Sequence, residues 1–154
     1  MDRLDRRILE CLQRDAGTTN QALAERVGLS PSACLARVRR LRESGTIERT
    51  VALLDPAAAG PRVELVVEVF TERDDRALFE RFERAAREAP EVRQCYRVTG
   101  DSDFVLIVSV PDMDAYDAFC DRVLYGDSNM AKFRTLVVRR RAKFDPFVPL
   151  GDGG

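Results

Sequence analysis

Seven residues between Ser30 and Arg40 carry the clearest chemistry in the chain: Ser30, Ser32, Ala33, Ala36, Arg37, Arg39 and Arg40. Guanidinium groups offer forked donors that match the O6/N7 edge of guanine or a phosphate. The serine hydroxyls donate and accept, and the alanines let a helix approach another surface closely. On a helical wheel centred on the apolar seam Cys34, Val38 and Leu41, residues Ser32, Ala36, Arg39 and Glu43 lie nearly opposite the seam. Arg40 sits beside them and Arg37 nearer the flank. Arg42 suits a phosphate contact or a solvated charge. The set fits a helix that enters a DNA groove, and its plain alternative is a solvated helix face.

A second set is Gly100-Asp101-Ser102-Asp103. Carboxylates suit an ammonium group and glycine admits close backbone approach. On the residues alone, however, this is an ordinary hairpin turn, where glycine and aspartate are favoured anyway. Other chemistry is thinly represented. The chain has no histidine, no paired acid–base constellation and no phosphate-binding glycine loop, all of which counts against an enzyme, the reading from another class. Cys11, Cys34, Cys95 and Cys120 sit in separate apolar segments and read as small buried hydrophobes rather than zinc ligands. No cofactor and no metal are expected.

The elements that must hold these residues follow from caps and periodicity. Leu4 to Gln13 forms a first helix with Leu4, Ile8, Cys11 and Leu12 on one face. Thr19 caps a short helix from Asn20 to Val27, and Gly28 makes the turn. Ser30-Pro31 starts the next helix with a hydroxyl cap and a proline where no amide donor is needed, and Gly45 ends it. This is a tri-helical helix-turn-helix. Ile47 to Leu54 alternates as a strand or small wing, and the proline- and glycine-bearing stretch up to Pro61 is a linker.

Beyond the linker, strands and helices alternate: strands over Val63–Phe70, Glu91–Thr99, Phe104–Val110 and Phe133–Lys143, helices over Asp74–Ala89 and Pro111–Tyr125. The order βαββαβ is that of a ferredoxin-like split sandwich. The expected core side is Leu78, Phe82, Ala85 and Ala89 on the first of these helices, and Met113, Tyr116, Phe119, Cys120 and Val123 on the second. A small sheet apolar on both faces implies a homodimer packing sheet on sheet. The fold class is therefore α+β. Its parts are a helix-turn-helix domain with its following strand over 1–54, a linker over 55–62, a βαββαβ domain over 63–144, and a mobile proline- and glycine-rich tail over 145–154.

Charge divides along the same line. Up to Gly60 there are ten arginines against eight acids, whereas residues 61–133 carry ten bases against sixteen acids. A net charge of −1 argues against indiscriminate nucleic-acid binding. No apolar run is long enough for a membrane span and the charged start lacks a signal-peptide core, so a cytoplasmic protein is expected.

Both halves resemble the Lrp/AsnC (feast/famine) family of transcriptional regulators. The residues that carry the resemblance are Leu4-Asp5…Ile8-Leu9, the run Leu23 to Ser32, Cys34, Arg37 to Leu41 and Gly45-Thr46-Ile47. In the second half they are Pro90-Glu91-Val92, Cys95, Val98-Thr99-Gly100-Asp101, Asp103 and Thr135. The resemblance implies a DNA-binding helix-turn-helix joined to a ligand-sensing RAM domain, with dimers or octamers as the assembly. It also implies an amino acid or related metabolite as effector, bound between sensing domains. It places Thr99, Gly100, Asp101, Ser102, Asp103, Asp117 and Thr135 at the effector pocket. Two departures bear on that pocket: many relatives have an aromatic at Ser102 and a hydroxyl residue at Phe133, and a bulky Phe133 would fill part of the space. A stand-alone sensor with vestigial DNA binding is disfavoured by the intact Ser30-Pro31-Ser32 start and the arginines that follow.

Overall fold

The computed structural model describes residues 1–151 and divides them into two compact units. The first unit contains Met1–Leu53 together with the chain from Lys143 onward, and the second contains Leu54–Ala142.

In the first unit, α1 (Arg3–Arg14), α2 (Asn20–Val27) and α3 (Pro31–Glu43) surround a core of Ile8, Leu9, Leu23, Ala24, Val27, Cys34, Val38 and Leu41. Each helix has a side-chain cap: Asp2, Thr19 and Ser30 accept from the backbone amides of Asp5, Ala22 and Ala33. Asp2 and Asp5 form a reciprocal capping box, which satisfies two of the orphan donors at the start of α1. The turn between α2 and α3 pivots on Gly28 at φ 75°, a left-handed conformation that costs glycine nothing.

Two expectations for this unit change. Among the described residues no strand forms between Ile47 and Leu54, and Val51, Leu53 and Leu54 are exposed. Alternation alone does not make a strand: its amides and carbonyls need a neighbour to pair with. Of the tail over 145–154, residues 152–154 lie outside the described residues, and the rest is tied to this unit at Val148 and Leu150. Gln13 donates through Nε2 to the Val148 carbonyl (3.1 Å) and accepts through Oε1 from its amide (2.7 Å), much as a neighbouring strand would. Leu150 packs on the helical core, and the Arg14 guanidinium lies 5.9 Å from the centroid of the Phe147 ring. Pro146, Val148 and Leu150 line a groove of about 690 Å³ together with Leu9, Leu12, Ile47 and Val51.

The second unit is the expected split sandwich. β1 (Val63–Thr71), α4 (Arg76–Glu88), β2 (Val92–Arg97), β3 (Phe104–Val110), α5 (Met113–Phe119) and β4 (Met130–Val137) follow in that order, with a π-turn over Cys120–Leu124 extending α5. The sheet order is β2-β3-β1-β4 and every pair is antiparallel. Leu65, Val67 and Val69 of β1 and Phe104, Leu106, Val108 and Val110 of β3 are buried on one face with both helices. Phe104 is the centre, with its ring 5.3 Å from Phe79 and 4.8 Å from Phe82. Those rings set the buried stripe of α4, which is Phe79, Phe82, Ala86 and Ala89; Leu78 and Ala85 lie half-buried at its edge. On α5 the inward residues are as expected, apart from an exposed Met113.

β4 begins three residues before the expected Phe133 and ends at Val137 rather than Lys143. Its neighbour β1 explains the end point. Val137 faces Leu65 and the Val138 amide donates to the Glu64 carbonyl, after which β1 has run out. The opposite face of the sheet holds half-buried Val66, Phe70, Val105 and Ile107 and exposed Tyr96 and Leu136.

Candidate nucleic-acid interface and sensing loop

The second helix of the helix-turn-helix, α3, is fixed from one side by acid. Asp5 on α1 is 2% exposed and its carboxylate is shared by two guanidiniums. Arg37 donates to Asp5 Oδ1 (2.8 Å) and to Asp2 Oδ2 (2.6 Å), and Arg40 donates to both Asp5 oxygens (2.9 and 2.8 Å). Burial alone would raise the pKa of Asp5; the Asp2 amide and Arg37 outweigh it, so the carboxyl titrates below its ordinary value. Asp2 is held at about 2 by the Asp5 amide first and Arg37 second. Arg37 is raised in turn, by Asp2 and then Asp5.

The arginines expected to face DNA therefore fall into two groups. Arg37 and Arg40 are paired to the acids of α1, with Arg40 still exposed, whereas Arg39 and Arg42 are exposed and, among the described residues, carry no acidic partner. Ser32 and Ala36 are exposed beside Arg39, and Ala33 is exposed beside Arg40; Ser30 caps the helix and its hydroxyl lies 3.2 Å from that of Ser32. One residue on this face escaped the sequence analysis: Leu35 is 52% exposed. Its position between Arg39 and Arg42 on the wheel was the available signal.

The capping and ion-pair cluster has a pH signature. Asp2 has its folded pKa depressed from 3.8 to about 2. A depressed carboxyl stabilises fully above its unfolded pKa, and the contribution disappears as pH falls through the folded value. The helix-turn-helix should accordingly lose stability between about pH 4 and pH 2. Helical circular dichroism in mild denaturant across that range should show a smaller loss for Asp2→Asn than for the parent.

In the second unit the expected pocket residues meet different fates. Asp103 is committed internally: Oδ2 accepts from the Thr71 amide (2.7 Å) and hydroxyl (2.8 Å), and its own amide donates to Val69. Thr135 shares a 2.5 Å hydrogen bond with the buried Tyr116 hydroxyl, whose pKa is pushed up by burial. Thr99, Gly100 and Asp101 are exposed, Ser102 is half-buried, and Gly100 has φ 146°. Asp117 is exposed on α5. Phe133 is half-buried against the core, with its ring 5.3 Å from Tyr125. Among the described residues no group of three or more acids and cysteines could hold a metal ion.

Comparison with known proteins decides the family. The model for the Lrp/AsnC ligand-binding domain matches residues 64–147, and that for a winged helix-turn-helix DNA-binding domain matches residues 1–48. The chain belongs to the Lrp/AsnC family. Similar to this Lrp/AsnC chain is an uncharacterised HTH-type transcriptional regulator of Sinorhizobium fredii, 40% identical over 97% of this chain and 89% of that one. The leucine-responsive regulatory protein of Escherichia coli K12 is 39% identical over 93% of this chain and 87% of its own. An AsnC family regulator from Agrobacterium tumefaciens superposes with TM-score 0.87 at 38% identity, covering 97% of each chain. A transcriptional regulator from Neisseria meningitidis, solved in complex with L-Met, gives 0.86 at 31% identity over 97% of this chain and 96% of that one. The Lrp/AsnC family is one of DNA-binding transcriptional regulators, which are not enzymes. Among the described residues no helix is long and apolar enough to cross a membrane.

Proposed function

We propose that this Lrp/AsnC regulator reads its operator with Ser32, Ala36 and Arg39. Ser30 and Ala33 face the adjoining backbone, and Arg37 and Arg40 act chiefly to hold α3 at its angle on α1. The observation that carries the assignment is the shared Asp5 carboxylate, which engages Arg37 and Arg40 and leaves Arg39 exposed. The chain works in the cytoplasm, on double-stranded DNA, and performs no catalysis of its own.

The effector is an amino acid or related metabolite. Thr99, Gly100, Asp101 and Ser102 form the rim that meets its head group, with Asp117 alongside. Asp103 and Thr135 shape the site through the bonds they make to Thr71 and Tyr116. The assembly is a homodimer or an octamer built from it, in which the apolar outer face of Val66, Phe70, Val105, Ile107 and Leu136 is covered by a second copy. Effector binding then shifts the balance between assemblies that space the recognition helices differently.

The test combines three measurements on the full chain: thermal shift with each of the twenty amino acids, sizing, and DNA affinity. One ligand at about a hundredfold its dissociation constant should stabilise the protein by about 2.7 kcal/mol. It should also change assembly or affinity in parallel. Asp101→Ala should abolish that shift without lowering the unliganded melting temperature. Flat responses throughout would reject an amino-acid effector, and a liganded Asp101→Ala would reject the rim.

A further inference from the structure

Apart from Leu35, the leucine and valine residues of α3 are buried, Val38 and Leu41 among the seam residues. Single exposed leucines are ordinary on protein surfaces, so exposure by itself decides little. The surroundings decide more. Ser32, Leu35, Arg39 and Arg42 stand at i, i+3, i+7 and i+10, and all four are exposed. At about 100° per residue they make one stripe within an arc of about 80°. It lies on the side of α3 away from Arg37 and Arg40, which the acids of α1 hold. The stripe is hydroxyl, isobutyl, guanidinium, guanidinium, with no carboxylate among its members. It belongs to the second helix of a helix-turn-helix, the element that enters the major groove.

The edges that distinguish the base pairs in that groove are hydrogen-bonding groups, and the one methyl among them is the 5-methyl of thymine. An isobutyl group pressed on a polar edge would strip its water and return nothing. Pressed on a methyl it buries apolar surface on both sides. We propose that Leu35 is a specificity-determining residue that reads a thymine through its 5-methyl group, between the contacts made by Ser32 and Arg39. The inference rests on α3 being the DNA-reading helix and goes beyond it by naming a base and an atom.

Duplexes enriched by the wild-type protein from a random pool supply the probe, with each thymine replaced singly by deoxyuridine. Affinities are measured at one fixed salt concentration, since electrostatic contacts shift with salt. At one thymine per half-site, removal of the methyl should weaken wild-type binding about fourfold, the factor that one buried methyl-sized group implies. Leu35→Ala should bind the thymine and uracil forms alike. Leu35→Ile should keep the preference, and Arg39→Ala should bind more weakly while retaining it. Indifference of the wild type to uracil at every position would overturn the assignment. So would an equal uracil penalty in Leu35→Ala, or a change in its oligomeric state, which would make Leu35 a contact between copies. Failure to enrich any sequence would instead overturn the DNA-reading role of α3 on which the assignment stands.

Discussion

Asp5→Ala should destabilise the helix-turn-helix unit by about 3 kcal/mol, the lower end of the cost of breaking a buried ion pair. The carboxylate is nearly inaccessible and satisfies two guanidiniums as well as the Asp2 amide. Its loss leaves Arg40 and the Asp2 amide without that acceptor and Arg37 with Asp2 alone, at the junction of α1 and α3. The lower end applies because water reaches the arginines, whose side chains are 25% and 61% exposed for Arg37 and Arg40. Asp5→Asn should lie between, since the amide oxygen still accepts but the charge has gone. Denaturant unfolding followed by helical circular dichroism would measure this, and because the chain has two units only the transition of the helix-turn-helix unit should move. A loss under about 1 kcal/mol would mean that the cluster is a surface ornament.

Arg39→Ala should lower specific DNA affinity by about tenfold to a hundredfold, the range expected for one two-pronged contact to guanine. It should leave unfolding unchanged, because Arg39 makes no side-chain bond to the other described residues. Arg37→Ala should behave in the opposite way: a clear loss of stability from the Asp2 and Asp5 contacts, with DNA affinity falling only as far as α3 loses its angle. Titrating both variants at two salt concentrations separates a base contact from a phosphate contact. Loss of a phosphate-bound arginine flattens the salt dependence by about one unit of slope and weakens all sequences alike. If Arg37→Ala lost sequence discrimination and Arg39→Ala did not, the roles proposed for the two would be reversed.

Much of this architecture was legible before any coordinates. Ser30-Pro31, Thr19 and Gly28 mark helix ends because their chemistry suits few other positions, and the Cys34–Val38–Leu41 seam is buried as its spacing requires. The βαββαβ order was legible for the same local reason. What was missed depends on neighbours. Ile47–Leu54 alternates correctly but has no strand beside it, and the fourth strand stops at Val137 because β1 ends there. The wheel put Arg37 on the flank of α3 without saying that α1, with a buried acid, lay against that flank. Asp103 looked like one of two equivalent turn carboxylates, yet only Asp101 stays exposed while Asp103 is used by Thr71. In each case the residue type was right and the partner decided the role.

The packed tail bears on how the protein can be handled. Gln13 grips the Val148 backbone from both sides, and Pro146, Val148 and Leu150 line the groove beside α1. Trimming the chain at Phe144, or fusing a bulky tag directly after Leu150, would disturb the DNA-binding unit rather than an inert end. It would further uncover the half-buried Leu12 and Ile47 beside the already exposed Val51. An affinity handle belongs instead behind a flexible spacer beyond Gly151.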